Sequence, residues 1–99
     1  MKRFALTVSA RQDLKAIARH TQLRWGMMRR DAYLRDMDRV FHLLAENPAL
    51  GRSCDAIRAG YRKFPHGGHV VFYREQEDGE LLIVRLLHMA MDVESNLDV

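Results

Sequence analysis

The feature that most restricts how this chain can fold is a change of hydrophobic period near its middle. Between Ser9 and Pro48 the apolar residues recur every three or four positions, and from Ile57 onward they come in short dense runs separated by glycine-containing turns. The first pattern is that of amphipathic helices and the second that of strands. In the first half, Leu14, Ile17, Ala18, Thr21 and Trp25 form one stripe, and Tyr33, Met37, Val40, Phe41 and Leu44 form another. Gly26 stands between them as a stop. Asn47-Pro48 ends the second helix, because proline disfavours helical geometry in the residue before it. Two helices joined at one glycine predict an antiparallel hairpin.

Phe4, Leu6 and Val8 alternate with Ala5 and Thr7 ahead of the first stripe, which predicts a short strand. Ser9, with Gln12 three residues later, has the spacing of a capping box and predicts the start of the first helix. In the second half, Ile57 to Phe64, His69 to Arg74 and Glu80 to Leu87 are three candidate strands. Their connectors, Pro65-His66-Gly67-Gly68 and Glu75-Gln76-Glu77-Asp78-Gly79, are short enough to make hairpins. The expected fold is α+β, in the order β-α-α-β-β-β, with the helical hairpin packed on a small, mostly antiparallel sheet.

With 99 residues in all, the expectation is a single domain over 1–99, whose apolar segments share one core. No run of 18 apolar residues is present that could span a bilayer. The apolar run after Met1-Lys2-Arg3 breaks at Ser9 and Arg11, too early for a signal-peptide core, so a cytoplasmic location is expected. Cys54 has no second cysteine to pair with, in keeping with a reducing compartment.

The formal charge of +3 is unevenly spread. Residues 1–52 hold eleven Lys and Arg against five Asp and Glu, whereas residues 53–99 hold five against eight. A basic helical half can attract phosphates or an acidic protein through the same long-range field.

In the last strand, strict alternation turns Leu82, Val84 and Leu86 toward the helices and Leu81, Ile83 and Leu87 to the opposite face, which Arg85 interrupts. That second face needs a loop, the tail or a partner to cover it. RNA cleavage would need an acid, a base and a cation at one phosphate. Arg58, Arg62, Lys63, Arg85 and His88 are available on the strands, but they do not make a complete set. His66 and His69, separated by two residues across a turn, are too little for a metal site without further ligands, and His20 and His42 are placed apart on the two helices. No metal or other cofactor is expected. Gly67-Gly68 lacks the surroundings of a phosphate loop. The six methionines are expected to be mostly gap-fillers, whereas Met89 and Met91 lie beyond the last strand, where apolar exposure serves contact.

Four strings resemble, in order and spacing, those of the ParE toxins of the ParE/RelE superfamily, the toxin members of bacterial toxin–antitoxin modules. They are Leu44-Ala45-Glu46-Asn47-Pro48-Ala49-Leu50-Gly51-Arg52, Ile57-Arg58-Ala59-Gly60-Tyr61-Arg62-Lys63-Phe64, His69-Val70-Val71-Phe72-Tyr73-Arg74, and Ile83-Val84-Arg85-Leu86-Leu87-His88 followed by Met91-Asp92. The resemblance runs from about Leu6 to Asp92. It implies growth arrest by the free toxin, through poisoning of DNA gyrase, and neutralisation by a ParD-like antitoxin, with DNA contacted only through antitoxin or gyrase. RelE members instead cut messenger RNA on the ribosome, which is the alternative. The usual ParE-like ending of His followed by Gly and Arg is here His88-Met89-Ala90.

Gyrase inhibition requires binding rather than bond-making, in keeping with the incomplete acid–base set, so no catalytic residue is expected. The target-binding candidates are Arg58, Arg62, Arg85, His88, Met91 and Asp92. The antitoxin-binding candidates are Tyr73, Leu81, Ile83 and Leu87, with the basic helical hairpin pairing with acidic residues of the antitoxin. A plain RNA-binding module is disfavoured, since only Tyr61 and Tyr73 could stack bases beside basic residues.

Overall fold

The structure, a computed structural model, describes residues 3–89. A short strand β1 (Phe4–Leu6) leads into helices α1 (Val8–Trp25) and α2 (Met27–Glu46), and a 3-10 turn at Pro48–Leu50 follows. Four strands come after it: β2 (Arg52–Ser53), β3 (Arg62–His66), β4 (His69–Glu75) and β5 (Leu81–His88). The sheet order is β1-β5-β4-β3-β2, with β1 parallel to β5 and every other pair antiparallel. The α+β expectation holds, with β2 as an added edge strand. None of the helices is long and apolar enough to cross a membrane among the described residues.

Thr7, not Ser9, caps α1. Its hydroxyl oxygen accepts the Ala10 N–H at 3.0 Å and donates to the Val84 carbonyl at 2.7 Å, so the residue that starts the helix is also tied to β5. Ser9 already lies inside the first turn. Gly26 has φ +93, a conformation that disfavours side chains. Its N–H donates to the Gln22 carbonyl and its own carbonyl accepts from Arg30, so one residue closes α1 and opens α2.

The strand expected from Ile57 begins later than its sequence suggests. Ile57 and Arg58 donate backbone N–H groups to the Cys54 carbonyl, and the Asp55 carboxylate accepts the Gly60 N–H at 2.7 Å. These bonds hold 54–61 as a compact turn, and the strand starts at Arg62.

One irregularity reverses the expected faces of β5 from Leu81 to Val84, while Leu86 and Leu87 keep theirs. Neighbouring Phe72 and Tyr73 pair with Arg85 and Ile83, which leaves Val84 as an extra residue in β5. A bulge of this kind breaks the two-residue alternation and re-aims the side chains beyond it. Leu81, Ile83 and Leu86 therefore join Val71 and Tyr73 against Ile17, Met37, Phe41 and Leu44 of the helices. Val84 and Leu87 lie in a second cluster with Phe72, Cys54 and Tyr61. The apolar second face is thus met by the turn between β2 and β3, one of the covers the sequence allowed.

β1 is too short to accompany β5 to its end, and α1 takes over where it stops. The Thr7 N–H donates to the Ile83 carbonyl at 3.0 Å, and Asp13 accepts the Leu86 N–H at 3.0 Å. The same carboxylate receives Arg85 Nε at 2.7 Å and Nη2 at 2.9 Å.

Candidate functional site

The four basic target-binding candidates among the described residues lie on different elements, the β2–β3 turn, β3 and β5. Arg85 is held by Asp13 through two charge-assisted bonds, with the two side chains only 18% and 15% exposed. Those bonds hold its guanidinium above its ordinary value. Arg62 Nη1 donates to the Gly51 carbonyl at 2.8 Å, which fastens β3 to the segment before β2. Arg58 is exposed on the turn between β2 and β3, and His88 is exposed at the end of β5. Met91 and Asp92 lie outside the described residues.

The antitoxin candidates require a correction. Tyr73, Leu81 and Ile83 are in the core beneath the helices, and Leu87 is in the second cluster. None is more than 1% exposed, so a partner cannot reach them on the folded chain. Strict alternation placed Leu81 and Ile83 outward, and the bulge at Val84 turns that assignment around. Tyr73 instead ties the core to the segment that leaves α2. Its hydroxyl accepts the Gly51 N–H at 2.7 Å and donates to the Pro48 carbonyl at 2.8 Å. Burial pushes this phenol up, partly offset by the Gly51 hydrogen bond.

An open apolar surface exists elsewhere. A groove of about 430 Å³ runs between α1 and α2, with Leu14, Ala18, Leu34, Met37 and Phe41 along its floor and walls and Arg11 and Lys15 exposed beside it. The hairpin tip is apolar too. Leu23 is 80% exposed, Trp25 58% and Met28 89%. Trp25 follows the periodicity of the buried stripe but stays exposed at the end of α1, beside the Arg24 and Arg29 guanidiniums at 5.5 and 5.2 Å from its ring.

The sequence places His66 and His69 beside one turn, and the strand register adds His88 to them. His66 pairs with His69 across β3 and β4, and His69 with His88 across β4 and β5, which makes one row at the end of the sheet. The His69 and His88 rings meet edge to face at 5.7 Å. From α2, the Tyr33 hydroxyl lies 2.8 Å from His69 Nδ1 and donates to the His66 carbonyl at 3.2 Å. Both contacts are met at once when the Tyr33 proton is on the carbonyl and His69 carries its proton on Nδ1, leaving Nε2 as the acceptor. The turn residue Gly67 makes room for this ring: a Cβ there would come within 2.9 Å of Tyr33.

Burial first, and then the positive potential of His88, His20 and His66, push His69 below its ordinary value, against a weaker pull upward from Asp13. Burial pushes the Tyr33 phenol up. A cavity of about 320 Å³ opens over the His69–His88 end of this row, lined by His20, Trp25, Arg29, Tyr33, Asp36, His69 and His88. Among the described residues no group of three His, Cys, Asp or Glu is arranged to hold a metal ion. The Gly67-Gly68 turn was a usable signal for the His66–His69 pair. His88 had none, because its register depends on the bulge.

Comparison with known proteins gives a consistent pattern. The family described as "ParE toxin of type II toxin-antitoxin system, parDE" matches residues 4–93. Toxin ParE1 of Mycobacterium tuberculosis is 42% identical over 95 residues, covering 96% of this chain and 97% of that protein. Toxin ParE1 of Caulobacter vibrioides is 36% identical over 97 residues, covering 98% and 99%. Among solved structures, a chain of the chromosomal ParDE TA system from P. aeruginosa superposes with a TM-score of 0.74 at 20% identity, over 89% of this chain and 96% of that one. That likeness concerns the fold.

Proposed function

The chain belongs to the ParE toxin family of type II toxin–antitoxin systems, and from that premise we propose that it arrests growth by binding DNA gyrase in the cytoplasm, as an inhibitor that makes and breaks no bonds. The observation that carries the inhibitor over a nuclease is the state of Arg85. It is the cation nearest the end of the last strand, and it is held by Asp13 instead of being presented to a phosphate. Arg62 is likewise engaged with the Gly51 carbonyl. A cation committed to a structural pair has little freedom to stabilise charge developing in a transition state. On this reading Arg58, His88 and the segment containing Met91 and Asp92 are the contacts with the target.

The test is a supercoiling assay with purified gyrase and the full chain, scored for lost supercoiling and for trapped cleaved DNA. Supercoiling that survives saturating toxin, with ribosome-bound messenger RNA cut instead, would overturn the proposal.

A cognate antitoxin completes the module on this reading. The P. aeruginosa structure is of a ParDE toxin–antitoxin system, which supports a partner of the same kind. With Leu81, Ile83 and Leu87 buried, the surface that suits it is the groove between α1 and α2. An amphipathic segment could lay its apolar side over Leu14, Leu34 and Phe41 while its acidic residues meet Arg11 and Lys15.

A further inference from the structure

We propose that the cavity over the histidine row receives one nucleotide of a single-stranded nucleic acid, its base against Trp25 and its phosphate between Arg29 and the histidines. The proposal goes beyond gyrase binding and does not depend on it.

The cavity's size, about 320 Å³, lies at the lower end of small-ligand sites and suits a single nucleotide rather than a larger group. Its rim holds an indole that the core does not use. An exposed indole beside two guanidiniums is a stacking platform: a base can take the place of one guanidinium on the ring and leave that cation to pair with a phosphate. From Leu14 to Arg30 the sequence holds Lys15, Arg19, Arg24, Arg29 and Arg30 and not one Asp or Glu, and although Asp31 pairs with Arg30 at 2.9 Å the remaining cations keep the field at this end of the hairpin positive.

The histidines add a response to charge. His69 and His88 line the cavity from neighbouring strands with His20 opposite them on α1, and positive charge on His88, His20 or His66 opposes a proton on His69. An anion seated among them relieves that opposition and makes protonation favourable. The groups facing the row are Tyr33, Arg29 and Asp36 from α2 and His20 and Asp13 from α1. Asp36 works against an anion, but its carboxylate is paired with Arg39 at 2.9 Å. Asp13 is committed to Arg85 and the β5 edge. An acidic peptide would share the charge preference, but its carboxylates leave the Trp25 face without a planar partner.

The chain carries one tryptophan, and it is the proposed platform. Titrating the full chain with a 5′-phosphorylated single-stranded tetranucleotide should therefore quench Trp25 fluorescence to saturation. Binding should be roughly threefold to tenfold tighter at pH 6 than at pH 8, because protons are taken up with the anion. Arg29→Gln, an exposed change that leaves the core intact, should weaken binding about tenfold. His69→Gln should reduce the pH dependence. Inorganic phosphate should bind far more weakly than the tetranucleotide. Phosphate binding as tight as the tetranucleotide would remove the base from the site. An acidic peptide of equal charge binding as well would assign the cavity to a protein segment. Unchanged fluorescence at millimolar tetranucleotide, or unchanged affinity in Arg29→Gln, would also overturn the proposal.

Discussion

Asp13 is the residue whose loss should be felt most. Its carboxylate receives Arg85 Nε, Arg85 Nη2 and the Leu86 N–H, at 2.7, 2.9 and 3.0 Å. Asp13→Ala removes all three acceptors and takes the paired anion away from a largely buried guanidinium. Breaking one side of a buried ion pair costs about 3–5 kcal/mol. The 18% and 15% exposure of these side chains lets water recover part of that. The stranded Leu86 N–H adds about 1 kcal/mol at an edge that water can approach.

A net loss of about 3 kcal/mol is expected, a large share of the roughly 5–15 kcal/mol that a domain possesses. Urea denaturation of the full chain followed by circular dichroism should show a lower midpoint with an unchanged slope. Asp13→Asn keeps an oxygen for the backbone N–H and loses the charge, and should cost about half as much. Arg85→Met in the Asp13→Ala background should recover at least about 1 kcal/mol, because the uncompensated charge goes with it. An Asp13→Ala loss under about 0.5 kcal/mol, or strictly additive costs in the double variant, would refute the assignment of Asp13 as the anchor of this edge.

Three further outcomes are expected from the same geometry. Tyr73→Phe should destabilise by about 1–3 kcal/mol in the same denaturation, since the buried Gly51 N–H loses its acceptor. Stability should fall as pH drops from 7.5 to 5.5, with His69→Gln flattening the decline. The unfolded chain takes up a proton near pH 6.5 that folded His69 refuses, so its contribution is complete above that value and is lost below it. A stability flat over that window would contradict the shielding of His69. Arg11→Glu with Lys15→Glu should slow antitoxin association about tenfold or more at low salt and leave the urea midpoint in place. An unchanged association rate would move the antitoxin away from the α1–α2 groove.

Much of the architecture was legible because helical and strand periods are read over many residues. Met37, Val40, Phe41 and Leu44 are buried as their spacing predicts, and the Gly26 joint lies where a positive φ is needed. What the sequence concealed depended on single residues. One extra residue at Val84 reversed the faces of Leu81 and Ile83 and misplaced the antitoxin surface. Trp25 satisfies the α1 periodicity but is left uncovered at the end of the helix, which no pattern within a helix can reveal. The histidine row was hidden because it joins positions 66, 69 and 88, and only strand register places them together.

β5 is the last of the described elements along the chain, yet it lies second in the sheet, between β1 and β4. The chain therefore cannot assemble its sheet in the order in which it is written. β1 has no neighbour until Leu81–Ile83 arrive, and the Thr7–Val84 bond closes over 77 positions of sequence. Contacts of that span come late in folding, after the local hairpin of helices is able to form. A nascent ParE chain that has not yet delivered β5 lacks the strand that joins β1 to β4, and with it the Leu81, Ile83 and Leu86 side of the core. The fold is completed only when that single strand arrives.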